Sequence, residues 1–135
     1  MQERQKLAFD QWISMCEKRA ELHERYAAYY NCVLSALSVP TIVAPICAGN
    51  LSSLGPEWTA ALNLLGAVGS AIIVFKNYGS KTSQHSDYAN RYSLLAKEIQ
   101  LETLKAKTDS AIALQICLEK WFALELVAPH VDENF

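Results

Sequence analysis

The side chains able to carry metal or bond-making chemistry here are His23, His85 and His130, Cys16, Cys32, Cys47 and Cys117, and the pair Glu98 and Glu102. A tetrahedral metal site draws its ligands from short paired spacings, and neither the histidines nor the cysteines recur at such spacings. The scattered cysteines are expected as free thiols in a reducing compartment, with Cys32 and Cys47 acting as small hydrophobes. Glu98 and Glu102 lie one helical turn apart with Lys97 and Lys105 nearby, which predicts solvated ion pairing rather than acid–base catalysis. His23 falls on an apolar seam, where an imidazole either reports pH or sits packed and hydrogen-bonded, the second being the commoner role. No nucleophile elbow, phosphate-cradling glycine loop or paired cysteine and histidine is present. The expectation is a protein without catalytic residues, cofactor or metal, and not an enzyme.

The elements that carry these residues read as helices, sorted by charge. Between Arg25 and Lys76 the chain has one charged side chain, Glu57, which separates two apolar blocks. The first runs from Tyr30 to Ala48 and the second from Trp58 to Phe75. A helix needs roughly 20 apolar residues to cross hydrocarbon, and each block approaches that length. The prediction is an all-α membrane protein: a two-span transmembrane hairpin flanked by an N-terminal amphipathic helix and a long C-terminal helix. The competing reading is a hairpin buried inside a soluble bundle, although core helices are shorter or keep a polar stripe. Residues 1–29 form the first flank, 49–57 the loop and 76–135 the second flank, all in one helical domain.

Both flanks are helical by pattern. Phe9, Ile13, Cys16, Ala20, His23, Ala27 and Tyr30 recur at alternating steps of four and three, a heptad seam suited to an oligomer or partner contact, or to packing within a bundle. Neither Pro nor Gly interrupts Gln2 to Val39, so this helix is expected to enter the first block without a joint. Beyond the second block, Lys76 to Ser80 is expected to relax the helix, with Thr82 or Ser83 capping a new one. Tyr88, Tyr92, Leu95 and Ile99 then share a face. Thr108-Asp109-Ser110 is the expected interruption. The more apolar helix after it has too many charges for a third crossing, reads as packed or surface-lying, and ends at Pro129.

Within the blocks, Pro40 and Pro45 each remove a backbone donor, and serve as a hinge or pore-lining bend, or are simply tolerated as proline is in membrane spans. Gly66, Gly69 and Ser70 offer small surfaces that let helices approach closely in lipid. Asn63 is expected at a helix contact or facing water in a pore. Gly49 to Pro56 is turn chemistry, with Pro56 opening the second block and Glu57 favoured by the helix dipole. The acceptor triplet Asn50-Leu51-Ser52 lies in this turn, where a tight loop is a poor glycosylation substrate. Lys18, Arg19 and Arg25 before the first block, and Lys76, Lys81 and Arg91 after the second, place both termini in the cytoplasm. No cleavable leader is visible. A formal charge of −2 with alternating signs at both ends argues against a nucleic-acid surface.

The order polar helix, apolar hairpin, long helix, together with the stretch from Ser83 to Ile99, resembles the SLATT family of two-span membrane effectors. His85, Ala89, Tyr92 and Leu95 match the His, Ala, aromatic and Leu that follow the second span in that family, and His23-Glu24-Arg25-Tyr26 resembles its pre-membrane helix. The resemblance implies a pore-forming homo-oligomer in membrane lipid, triggered beside a separate signalling protein. Two-span helical proteins of this kind also look like membrane anchors of large viral particles, which tether an internal membrane to a scaffold or capsid protein.

Overall fold

The computed structural model describes residues 3–50, 55–105 and 110–132. Four α-helices follow one another: α1 (Glu3–Asn50), α2 (Pro56–Lys76), α3 (Tyr78–Lys105) and α4 (Ser110–Val127). No strand occurs among the described residues. The chain divides into two units, one of Met1–Tyr26 with Gln84–Phe135, the other Ala27–Ser83.

The first unit packs the start of α1 against α3 and α4. Its core joins Phe9 and Cys16 of α1 with Tyr92, Leu95, Ala96 and Ile99 of α3, and with Cys117 and Trp121 of α4. Trp121 lies 5.7 Å from Trp12, edge-on, and 5.2 Å from Tyr92. Around this core run ion pairs from Arg19 Nε to Glu125 at 2.9 Å and from Lys120 to Glu98.

The second unit is an apolar helix pair. α1 continues through Pro40 and Pro45 to Asn50 without a break. Pro45 cannot donate to the Thr41 carbonyl four residues back. That carbonyl instead faces the backbone of α2: a β-carbon built on Gly66 would stand 3.2 Å from it and 2.6 Å from Cγ of Pro45. One turn on, a side chain at Gly69 would run into the Thr41 hydroxyl, which itself donates to the Leu37 carbonyl at 2.6 Å. Tyr30 and Tyr78, 6.1 Å apart, meet towards the other end of the pair, so the helices run antiparallel.

Local chemistry sets the boundaries. Gly55 precedes Pro56 and accepts from the backbone N–H groups of Trp58 and Thr59. Glu57 stands in the first turn of α2 and Lys76 in its last, each favoured by the helix dipole. α2 ends at Asn77, whose φ of 50° is left-handed, and its N–H bonds the Ile73 carbonyl. Asn tolerates this conformation better than other side chains. The break is therefore one residue long, and α3 starts at Tyr78. Capping by Thr82 or Ser83 does not occur, because Thr82 is already inside α3 and its hydroxyl returns to the Tyr78 carbonyl. Of the expected interruption at 108–110, Ser110 opens α4, and Thr108 and Asp109 lie outside the described residues.

Candidate functional site

In the first unit, two histidines distant in sequence meet. His23 Nδ1 stands 3.0 Å from His85 Nδ1, and both rings are buried, His23 to 1% exposure. Tyr26 stacks on His85 at 5.2 Å, while Tyr92 and Tyr88 stack on His23 at 5.5 and 5.8 Å. Steps of three to four residues along α1 and α3 place these rings on the facing sides of the two helices.

Burial, the neighbouring His85 and the Arg19 charge together hold His23 down to about 4, so its ring is neutral near pH 7. The Tyr92 hydroxyl donates to Glu125 Oε1 at 3.1 Å and is held above its ordinary range by burial and by that carboxylate. Cys16 is pushed up to about 12 by burial and by Cys117, and burial likewise raises Cys117. These thiols are unreactive core groups, since the thiolate is the nucleophilic form.

Beside His23 opens a cavity of about 590 Å³ lined by Arg19, His23, Tyr92, Glu125 and residues 128–132. The end of α4 and the segment after it are each fastened by a tyrosine. Tyr88 donates its hydroxyl proton to the Val127 carbonyl at 2.9 Å, and the Tyr26 hydroxyl accepts the Asp132 backbone N–H at 2.8 Å.

The residues expected as an oligomer or partner seam are largely covered by this chain's own helices. Phe9, Cys16, His23, His85, Tyr92 and Leu95 are buried, and Ile13 and Ala20 pack at the core margin. Ala27 is buried and Tyr30 half-buried in the second unit, and Ala89 is half-buried in α3. The difference from a seam between chains has a physical reason: α3 and α4 together supply apolar partners for this face. Among the candidate pore or packing residues, the structure brings Pro45, Gly66 and Gly69 together around Thr41, which residue type alone did not single out. Pro40, Asn63 and Ser70 remain exposed on the helix surfaces.

His130 lines the cavity rather than joining the histidine pair. The cavity itself escaped sequence reasoning, because its walls come from α1, α3, α4 and the following segment with no local signature. No cluster of three or more metal-binding side chains occurs among the described residues. No family model, curated protein or solved structure matches the chain.

Proposed function

We propose that the chain is an oligomeric integral membrane protein, with residues 30–48 and 58–75 crossing the bilayer as an antiparallel hairpin and both termini in the cytoplasm. One observation carries this reading. The apolar windows of the two long helices are only 6% buried, whereas the core helix of a soluble protein is mostly covered. Val39, Ile42, Val43 and Ile46 of α1 and Leu64, Leu65, Val68, Val74 and Phe75 of α2 all point outward. So large an apolar surface calls for lipid or other subunits to cover it. Carbonate extraction tests the proposal: the protein stays with the membrane pellet, and release into the soluble fraction would refute it.

Within this reading, a pore-forming effector of the SLATT type accounts best for α2. Asn63 and Ser70, seven residues apart, share an exposed face beside the glycines that receive α1. Around an oligomer axis that face would present an amide and a hydroxyl to water, with the Leu, Ile and Val side chains left to lipid. Conductance across planar bilayers is the direct assay, and no current above protein-free controls counts against a pore. A second reading, a membrane anchor docked on a scaffold such as a capsid, draws on α4. Its outer surface exposes Ile112, Ile116, Phe122 and Leu126 opposite the buried Cys117 and Trp121. Fixed stoichiometry in purified particles would favour the anchor.

A further inference from the structure

We propose that the first unit docks on a second copy of itself, with the exposed face of α3 in one copy lying against the exposed face of α4 in the other. This rests on the oligomeric part of the function proposed above, and gives that assembly a contact outside the apolar helix pair.

The seam expected for such a contact, from Phe9 to Tyr30, is largely covered by the chain's own helices. Two other seams are not. On α3, Asn90, Leu94, Lys97, Leu101 and Leu104 recur at alternating steps of four and three, and all are exposed. On α4, Ile112, Ile116, Glu119, Ala123 and Leu126 follow the same steps and are likewise exposed. Each helix already buries a different face, through Tyr92, Leu95 and Ile99 on α3 and through Cys117 and Trp121 on α4. A helix at a water-facing surface keeps its second face polar, which neither of these does. Leu94 and Ala123 also line the groove between α3 and α4, to which α1 contributes no wall, so the two stripes flank one side of the unit.

Charge and area select the occupant. Each stripe carries one charge, at its middle position: Lys97 on α3 and Glu119 on α4. Lys97 makes no ion pair among the described residues, and Glu119 accepts a hydrogen bond from Gln115 of its own helix at 3.2 Å. A twofold pair lays both stripes of one copy on the opposite stripes of the other. Because both charges are central, Lys97 of each copy then stands opposite Glu119 of the other, whichever way the helices run. A charged residue within an apolar seam fixes partner and register in this way. Lipid is a poorer cover, since a helix lying on a bilayer carries its charges on the polar face rather than in the middle of the apolar one. Each stripe exposes on the order of 400 Å² of apolar side chain, so a copy offers roughly 800 Å², the amount each partner buries in a stable complex.

The test uses the full chain in detergent micelles, with self-association measured by sedimentation. Lys97→Glu and Glu119→Lys each set like charges against each other in a pair of identical copies, and each should weaken self-association by about tenfold or more. Mixing the two variants under different affinity tags sets Glu against Glu, and Lys against Lys, nowhere: both contacts of the mixed pair join opposite charges. The mixed pair should therefore form with about the parent's affinity and be recovered through either tag. All substituted positions are exposed, so the variants keep the fold, and Leu101→Ser, which leaves the charges alone, should also weaken the pair. Unchanged self-association in all three variants would overturn this contact while leaving the oligomer in place, as a scaffold or lipid on these faces would predict. Failure of the mixed variants to associate better than either alone would overturn it too. A parent that sediments as a monomer would remove the contact and the oligomer together, whereas membrane residence is read separately by carbonate extraction.

Discussion

His23 and His85 face each other Nδ1 to Nδ1 at 3.0 Å, so one hydrogen lies between them and a second cannot be fitted there. The neutral pair keeps its bond on taking one proton, which goes to the Nε2 of the donor ring. A second proton places hydrogens on both facing nitrogens and breaks the contact between α1 and α3.

The sign of the pH dependence follows. His23 is lowered from 6.5 to about 4 in the folded chain, so the unfolded chain binds its proton first on acidification. The stabilisation is present above about pH 6.5 and is lost progressively as pH falls through about 4. The full loss is on the order of 3 kcal/mol. Denaturant titrations of the full chain between pH 7.5 and 4 measure it. His23→Gln, which can still bond His85 but does not titrate, should flatten the profile over that range. An unchanged profile in this variant would assign the acid sensitivity to other groups.

Trp121 anchors α4 under Trp12 and Tyr92. Trp121→Ala should destabilise the first unit by about 3–5 kcal/mol, the usual cost of deleting a buried Trp. Tyr92→Phe keeps the ring stacked on His23 and removes only the bond to Glu125, for a loss of about 1 kcal/mol. Chemical unfolding followed by circular dichroism ranks the two. Equal losses would mean that packing on Trp121 is not the dominant contact.

Much of this fold is readable from charge placement. Absence of charge from Arg25 to Lys76 except at Glu57 marks both apolar stretches, and α2, at Pro56–Lys76, extends the expected 58–75 by a residue or two at each end. The start of the first stretch is not a boundary in α1, because nothing near residue 29 breaks helical hydrogen bonding and the change there is only in side-chain polarity. The one-residue joint at Asn77 was legible as a region but not as a position, since several neighbouring residues tolerate a turn and only backbone geometry selects one. The histidine pair was hidden for a different reason. A separation of 62 residues carries no spacing signal, and only the packing of α1 on α3 brings the two rings together.

Close approach between α1 and α2 depends on the missing side chains at Gly66 and Gly69. Gly66→Ala should cost about 1–3 kcal/mol, because its methyl group meets the rigid Pro45 ring. At Gly69 the obstacle is the end of the Thr41 side chain, so Gly69→Ala should be partly rescued by Thr41→Ala. A double-mutant cycle by thermal unfolding in micelles reads the coupling. Additive effects would show that the helices separate rather than accommodate the methyl group.

The last prediction distinguishes lipid from water around the hairpin. Ile42 of α1 and Ile72 of α2 are 60% and 40% exposed, so in a water-soluble protein Ile42→Lys and Ile72→Lys would be ordinary surface changes, within about 0.5 kcal/mol of neutral. In a bilayer the same lysines would stand within the hydrocarbon, at about 2.5–3.5 kcal/mol each near its centre. Gln100→Lys, on the exposed surface of α3, is the control and should be silent in either case. The measurement is the fraction of each variant retained in carbonate-washed membranes, alongside its total yield. If lipid surrounds the hairpin, both isoleucine variants lose membrane-retained protein by a large factor while Gln100→Lys matches the parent. Full retention of both variants would place these side chains in an aqueous environment, and with it would go the argument that the exposed apolar surface of α1 and α2 exists to meet lipid.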